Sequence, residues 1–495
     1  MPVIPDYIRD ILGRFRAAGH ESFLVGGCVR DLLMEKTPKD FDITTVARPE
    51  EIMGAFPEAK YENEFGTVIL PIRTPDGELL DVVEMTTYRS EQGYSDRRHP
   101  DQVRFEDNVD KDLERRDFTI NALALSLDQG IAHPFAKPVE IGGEKLSLID
   151  LFGGQKDLRK GVIRAVGEPE HRFKEDALRM MRAVRFACQL GFALEDKTAR
   201  GIRKLAGSLK FIAKERIKDE LVKIIASNQA YEGIVRLHDL KLLQYIIPEL
   251  EEGHEVGQNH HHIYPVLEHN LLTLKHCPSP YWQVRLAALL HDVGKPRSRK
   301  VISGKVTFYN HEYVGAKLVA KIMDRLRFPT DDKERVVNLV KNHMFYYQVG
   351  EVTPASVRRL IAKVGRENLQ DLIDLRVADR LGSGTPKAMP YKLRHLQYML
   401  ERVQNDPVSV KMLAINGEDI MKELDIPPGP IIGAILDALL ADVIAQPERN
   451  TREYLLKRTQ ELAAMDLEAI REEAKELIEE KRNMDDKEMK RQFKV

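Results

Sequence analysis

The sequence predicts an α+β protein, with a mixed sheet domain over residues 1–150 followed by an all-helical remainder. Short β-rich runs bounded by Gly, Pro and Asp cluster before Asp150 and nearly vanish after it. Long stretches of helical apolar period, such as Glu175 to Cys188 and Lys214 to Ala226, then take over. The chain has 495 residues, and at roughly 100 to 200 residues per domain that means about three or four domains.

Composition narrows the class further. Hydrophobic residues make up 43% and charged residues 31%, a balance that excludes disorder as the main theme. Three widely spaced cysteines, Cys28, Cys188 and Cys277, argue against a disulfide framework and for a reducing compartment, so a cytoplasmic location is expected. The N-terminus interrupts its apolar pattern with Asp6, Arg9 and Asp10, and no run of about 18 apolar residues occurs, so neither a signal peptide nor a membrane span is expected. Lys and Arg total 76 against 78 Asp and Glu, a net charge of −2, so the whole chain does not advertise a nucleic-acid binder. One segment does: Lys197 to Lys223 holds nine Lys/Arg and three Asp/Glu, suited either to a phosphate backbone or to a solvated helix face.

Along the chain, Ile4, Ile8, Ile11, Leu12 and Phe15 recur at helical spacing and Gly19 stops that helix. Strand-like runs follow at Ser22–Val25, Phe41–Thr45, Thr67–Ile72 and Leu79–Thr86. Gly26-Gly27 separates the first run from a helical segment, a turn that presents backbone N–H groups to an anion. In Lys39-Asp40-Phe41-Asp42-Ile43, strand alternation sends Asp40 and Asp42 to one face and Phe41 and Ile43 to the core. Two adjacent carboxylates repel unless a cation lies between them, and hard oxygen ligands suit Mg²⁺ carrying a triphosphate. Phosphoryl or nucleotidyl transfer is the chemistry this predicts. A third carboxylate is expected from the run at 79–86, which offers Asp81 and Glu84 on opposite faces, and periodicity does not choose between them.

The motifs GGCVRD (26–31), DFD (40–42), EMTTYRSEQGYSDRRHP (84–100), LERRDFTINALA (113–124) and EDALRMMRAVRF (175–186), in this order, resemble the class II tRNA nucleotidyltransferases and related bacterial poly(A) polymerases. The segment MLAINGEDIMKELDIPPGPIIGAILDALL (412–440) is similar to the body and tail of CCA-adding enzymes. The resemblance implies a polymerase-β-like palm as head and Mg²⁺-dependent, template-independent addition of CMP and AMP from CTP and ATP to the tRNA 3′ end. It implies catalytic roles for Asp40, Asp42 and Glu84, with Mg²⁺ on Asp40 and Asp42, and nucleotide binding by Gly26, Gly27, Arg30, Arg115, Arg116, Asp117 and Asn121. Residues 115–117 are expected on a helix with Leu113, Phe118 and Ile120.

Asp176 and Arg179, at i, i+3 on one expected helix, form a base reader. Cytosine and adenine share an amine donor beside a ring-nitrogen acceptor, whereas uracil and guanine carry a carbonyl where the amine would be. A carboxylate and a guanidinium therefore accept C and A and reject U and G. This is the family's amino-acid template, with Arg182 as a further base-facing candidate. The aperiodic segment Arg89–Arg98 reads as a mobile loop, which in the family helps the switch from C to A.

A second constellation begins at His291-Asp292-Val-Gly-Lys295, after an apolar helix. With His269, His311, His343 and Asp379 it gives an order that resembles the HD phosphohydrolase superfamily over about residues 250 to 385. The resemblance implies one divalent transition metal on His269, His291, Asp292 and Asp379, a second on His311 and His343, and a phosphate contact at Lys295; metal identity stays open. His260-His261-His262 is an alternative source of the first ligand.

The expected division is a head (1–150), a helical neck that binds RNA and nucleotide (151–250), an HD module (251–385), a tRNA-binding body and tail (386–465) and a charged C-terminal helix (466–495). The expected partners are the tRNA acceptor arm, CTP and ATP, with no membrane and no obligate protein. Rival readings are a poly(A) polymerase, an enzyme adding only C or only A, and, from another class, an RNA-binding regulatory phosphohydrolase with an inactive head.

Overall fold

The computed structural model describes residues 3–63, 66–93, 102–129, 131–258, 263–345, 347, 349, 354–384, 391–404, 410–464 and 491. The C-terminal segment expected as a charged helix, the far part of the 89–98 segment and the His260–His262 stretch lie outside these residues, apart from Arg491. The chain divides into two compact units, residues 1–343 with 374–384, and residues 344–373 with 385–495.

In the first unit, helix α1 (Asp6–Ala17) leads into β1 (Ser22–Val25), α2 (Gly27–Leu33), β2 (Asp42–Thr45), α3 (Pro49–Ala55), β3 (Lys60–Asn63), β4 (Thr67–Arg73) and β5 (Leu79–Thr87). These follow the sequence pattern closely. The strands β6 (Arg89–Gln92), β7 (Gln102–Phe105), β8 (Ala124–Ser126), β9 (Ala136–Ile141) and β10 (Glu144–Ile149) carry weaker local signals. An eight-stranded sheet runs β3-β4-β5-β2-β1-β8-β10-β9. One face packs Leu24, Ile43, Val83 and Met85 against Ile8, Ile11, Leu12 and Phe15 of α1. Because side chains alternate along a strand, Asp42 and Glu84 face the other way.

The remaining helices include α4 (Val109–Glu114), α5 (Gly154–Lys160), α6 (Pro169–Glu175), α7 (Arg179–Leu190), α8 (Asp196–Leu205) and α9 (Lys214–Ile225). Three expectations need correction. The segment 89–98 begins as strand β6, paired with β7 from Arg89↔Phe105 to Gln92↔Gln102, so its first four residues are not loop. Arg115-Arg116-Asp117 is not helical: α4 ends at Glu114, and Phe118 is extended (φ −131°, ψ 149°) and bridges to Ala165. The helix expected over Glu175–Cys188 breaks at Asp176, whose backbone is extended (φ −137°, ψ 106°) while its Oδ1 accepts from the N–H of Leu178 at 2.9 Å. An aspartate that satisfies a free N–H at a helix start competes with helix continuation.

The second unit is helical. Its core gathers Ile415, Ile420, Ile435, Leu439, Leu455 and Leu462. Asn416 caps the helix Gly417–Leu424 by accepting from two backbone N–H groups, at 2.8 and 3.1 Å.

Candidate active sites

The parallel pairing of β2 with β5 sets Asp42 directly opposite Glu84, on the same sheet face. Asp81 lies on the other face and accepts from the Tyr7 hydroxyl at 2.6 Å. Strand register thus sets Glu84, and not Asp81, beside Asp42. Asp40 precedes β2 on an exposed bend, so the expected strand alternation, which begins only at Asp42, does not set it beside Asp42. Burial pushes the Asp42 carboxyl up to about 6; Arg116 opposes this, and the negative charges of Glu84 and Asp40 add to it. Asp42 and Glu84, paired across the sheet within reach of the Asp40 charge, are carboxylates of the kind that hold a divalent cation.

Above them, Gly26 takes φ 77°, ψ −131° between β1 and α2. A Cβ there would stand 2.9 Å from Arg116 Nη1 and 3.4 Å from Asp42 Oδ2. The glycine therefore lets the chain pass between the arginine and the carboxylate. Arg116 is held from behind by Asp112 Oδ2 at 3.2 Å, while Arg115 donates to Asp112 Oδ1 at 2.7 Å and to Glu91 Oε1 of β6 at 3.0 Å. Asp112 is fully buried; burial alone would raise its carboxyl, but Arg115 and Arg116 hold it below the ordinary carboxylate value. Sequence reading missed Asp112, although its i+3 and i+4 spacing to two arginines was a usable local signal.

Asp117 anchors a second relay. Arg182 Nε donates to its Oδ2 at 2.7 Å, Asn121 donates to its Oδ1 at 3.3 Å, and Arg30 Nη1 donates to Asn121 Oδ1 at 3.0 Å. Against the cost of burial, Arg182 and Arg179 keep the Asp117 carboxyl lowered. The expected reader residues are near one another in sequence but not paired. Arg216 of α9 donates to both oxygens of Asp176, at 2.7 and 3.3 Å. Arg179 instead bonds Glu175 at 2.6 Å and the carbonyl of Arg115 at 3.1 Å. Neither Arg216 nor Glu175 was singled out, and the Arg216 contact, 40 residues away, leaves no local mark.

In the basic run 197–223, Lys197 pairs with Glu168, Lys204 with Glu170, Arg216 with Asp176 and Lys218 with Asp219, while the other five of its nine Lys/Arg form no ion pair with described residues.

The HD residues come together in the same unit. His269 and Asp379 lie on helices Val266–Lys275 and Leu369–Gly382, His311 opens helix His311–Arg325, and His291 and His343 terminate helices Trp282–Leu290 and Thr330–Asn342. Asp292 is central. Its Oδ2 lies 3.3 Å from His269 Nε2 and 3.2 Å from His291 Nε2, and its Oδ1 lies 3.2 Å from His311 Nε2 and 3.7 Å from His343 Nε2. Asp379 Oδ1 is 3.3 Å from His269 Nε2.

The Nδ1 atoms of His291, His311 and His343 contact the carbonyls of Ala288, Phe308 and Val340 at 2.9, 2.8 and 2.6 Å. A neutral imidazole that donates from Nδ1 has only a lone pair at Nε2. Yet the Nε2 atoms of His269 and His291 stand 3.1 Å apart, and those of His311 and His343 stand 3.3 Å apart. Lone pairs and carboxylate oxygens at such distances are held together by shared protons or by a bound cation, and carbonyl-oriented histidines are typical of metal ligands. Two groups, His269–His291–Asp379 and His291–Asp292–His343, each bring three donor atoms within 4.8 Å of one another. Burial lowers the basicity of His269, but Asp292 and Asp379 overcome it and raise it to about 9. Lys295 meets Asp292 at 2.5 Å and donates to Gln258 at 2.6 Å.

Comparison with known proteins agrees with this geometry. Three family models match: the Poly A polymerase head domain over residues 22–164, the probable RNA and SrmB-binding site of polymerase A over 191–253, and the HD domain over 273–383. The A-adding tRNA nucleotidyltransferase of Deinococcus radiodurans is 35% identical over 433 residues, covering 84% of this chain and 90% of the relative. The CCA-adding enzyme of Ligilactobacillus salivarius is 33% identical over 473 residues, covering 93% and 98%. Among solved structures, the Bacillus stearothermophilus CCA-adding enzyme in complex with CTP shares the fold at a TM-score of 0.58 and 24% identity, covering 93% of this chain and 98% of that one. The Thermotoga maritima CCA-adding enzyme complexed with tRNA gives 0.52 at 20% identity, covering 94% and 97%. No helix among the described residues is long and apolar enough to cross a membrane. The chain belongs to the tRNA nucleotidyltransferase family of CCA-adding enzymes and bacterial poly(A) polymerases, and it carries an HD domain.

Proposed function

We propose that the chain adds CMP and AMP from CTP and ATP to the 3′ end of tRNA. The observation that carries the chemistry is the Asp42–Glu84 register pair, with the Asp40 charge within reach and the Gly26 turn above. Asp40, Asp42 and Glu84 would hold Mg²⁺, which supplies charge neutralisation for the triphosphate and a nucleophilic RNA hydroxyl. Arg116 lies where it can meet phosphate oxygens, and Asp117, steadied by Arg182 and Asn121, offers a carboxylate to a ribose hydroxyl. Asp176 and Arg179 would read the base edge. The substrate rests on the relatives' names. The division into head (1–150), neck (151–250), HD module (251–385), body and tail (386–465) and terminal helix (466–495), and a cytoplasmic location, belong to the same reading.

The A-adding Deinococcus relative favours a second reading, addition of A alone to an end that already carries CC. Incubating the protein with tRNAs ending before C, after C and after CC, with each nucleoside triphosphate separately, and sizing the products distinguishes them: extension of all three tRNAs supports CCA addition, and extension of the CC end by ATP alone supports the second.

We further propose that the HD cluster is a phosphohydrolase using a divalent transition metal. His269, His291 and Asp379 would take one ion and Asp292 would be shared toward His311 and His343. The donor set of imidazoles and carboxylates suits Mn²⁺, Fe, Co, Ni or Zn.

A further inference from the structure

Between Lys295 and Lys321 the chain carries seven Lys/Arg and one acidic residue, Glu312. This stretch includes a small hairpin, strands Lys300–Ile302 and Lys305–Thr307, closed by Ser303 (φ 50°) and Gly304 (φ 77°), the positive pair that a tight two-residue hairpin turn requires. Both flanks of the hairpin belong to the HD cluster. Before it stands Lys295, paired with Asp292; after it, the Phe308 carbonyl contacts His311 Nδ1 at 2.8 Å, and the Phe308 ring lies 5.8 Å from the Lys295 ammonium.

The hairpin's own side chains serve neither the cluster nor the core. Register places Lys300 opposite Thr307 and Ile302 opposite Lys305, so Lys300 and Lys305 share one face. Arg299, Lys300, Lys305 and Lys317 are exposed, and their side chains form no hydrogen bond or ion pair with described residues. Of the neck cations, Lys197, Lys204, Arg216 and Lys218 are paired with acids. Tyr309 is 71% exposed and Tyr313 is 45% exposed. Exposed aromatic rings among unpaired cations are what a single-stranded nucleic acid needs: π faces for bases and charge for the backbone. A free mononucleotide would require only the metal cluster and Lys295.

We propose that this hairpin and its flanks dock an RNA strand, so that the HD site acts on the phosphorylated end of an RNA chain. The proposal rests on reading the HD cluster as a phosphohydrolase. In the step it serves, a water oxygen bonds to phosphorus, the P–O bond to the terminal ribose breaks, the ribose oxygen gains a proton, and inorganic phosphate leaves.

The test uses the full-length protein with Mn²⁺, a short RNA bearing a 3′-phosphate, and 3′-AMP. In the doubly substituted Lys300→Glu, Lys305→Glu protein, and in Tyr309→Ala, the KM for RNA rises by about tenfold or more, while kcat, 3′-AMP hydrolysis and nucleotide addition stay unchanged. An unaltered KM for RNA, or an equal loss on 3′-AMP, overturns the proposal. If the wild type hydrolyses neither probe with any divalent metal, the phosphohydrolase reading fails, and photo-cross-linking of a 4-thiouridine RNA decides the docking surface alone. A cross-link at Tyr309 that the double substitution removes upholds it; none at Tyr309 overturns it.

Discussion

Arg216 grips the carboxylate of Asp176 through two guanidinium nitrogens, at 2.7 and 3.3 Å, and the backbone N–H of Leu178 holds the same carboxylate at 2.9 Å. Asp176 is therefore oriented from two sides before any nucleotide arrives. Arg179, its proposed partner in base reading, is oriented separately by Glu175 and the Arg115 carbonyl. As a reader, two independently braced groups would present a fixed edge.

If these two groups select the nucleotide, Asp176→Ala or Arg179→Ala relaxes rejection of UTP and GTP while slowing use of CTP and ATP. Each unpaired buried polar group costs about 1–3 kcal/mol, so discrimination falls by roughly tenfold or more. Single-turnover incorporation of all four nucleotides checks this. Unchanged nucleotide ratios with a lowered melting point would assign both residues to the fold alone.

Asp40→Asn and Asp42→Asn should each reduce nucleotide addition by on the order of a hundredfold, since removing a group that stabilises transition-state charge costs that much. Folding and tRNA binding should persist. Addition within about tenfold of wild type contradicts the role given to this pair.

Gly26→Ala meets two penalties at once: a backbone region that costs on the order of 1–3 kcal/mol for a side chain, and a Cβ 2.9 Å from Arg116 Nη1. Addition falls more than stability does, because the displaced arginine borders Asp42. A melting curve combined with steady-state kinetics separates the two losses.

Asp112 gives a pH-dependent expectation. Its folded carboxyl lies below the ordinary value of 3.8, with burial opposing and Arg115 and Arg116 prevailing. Its contribution is thus present above about pH 4 and fades as pH falls through the lowered folded value. Asp112→Ala, which leaves two arginines without their buried partner, should lose about 3 kcal/mol at pH 7. Urea unfolding across pH 3 to 7 should show the gap between wild type and variant narrowing on acidification; a constant gap refutes the ionic account.

His291→Ala removes a ligand common to both candidate metal groups. Bound transition metal and phosphoester hydrolysis should disappear together, while nucleotide addition changes by less than about twofold. Metal analysis of purified protein, run beside both assays, checks the separation. Full metal content in the variant would move the site elsewhere.

The sequence by itself determined what depends on neighbours along the chain. Period-2 runs gave β1, β2, β4 and β5; Gly26 marked the turn into α2; and alternation turned Asp42 away from Phe41 and Ile43. Motif order pointed to the candidate residues of both sites. Tertiary structure decided what depends on partners distant in sequence. Only strand register sets Glu84 rather than Asp81 beside Asp42, because the two are equivalent until β5 lies parallel to β2. Only the packing of α9 brings Arg216 to Asp176, and only the assembled helices place four histidines around Asp292. The two misread helices fail for a shared reason. At Asp117 and Asp176 the polar side chain binds a backbone N–H one or two residues ahead, at 2.9 Å in each case. That local bond competes with the helical ladder, and apolar periodicity is blind to it.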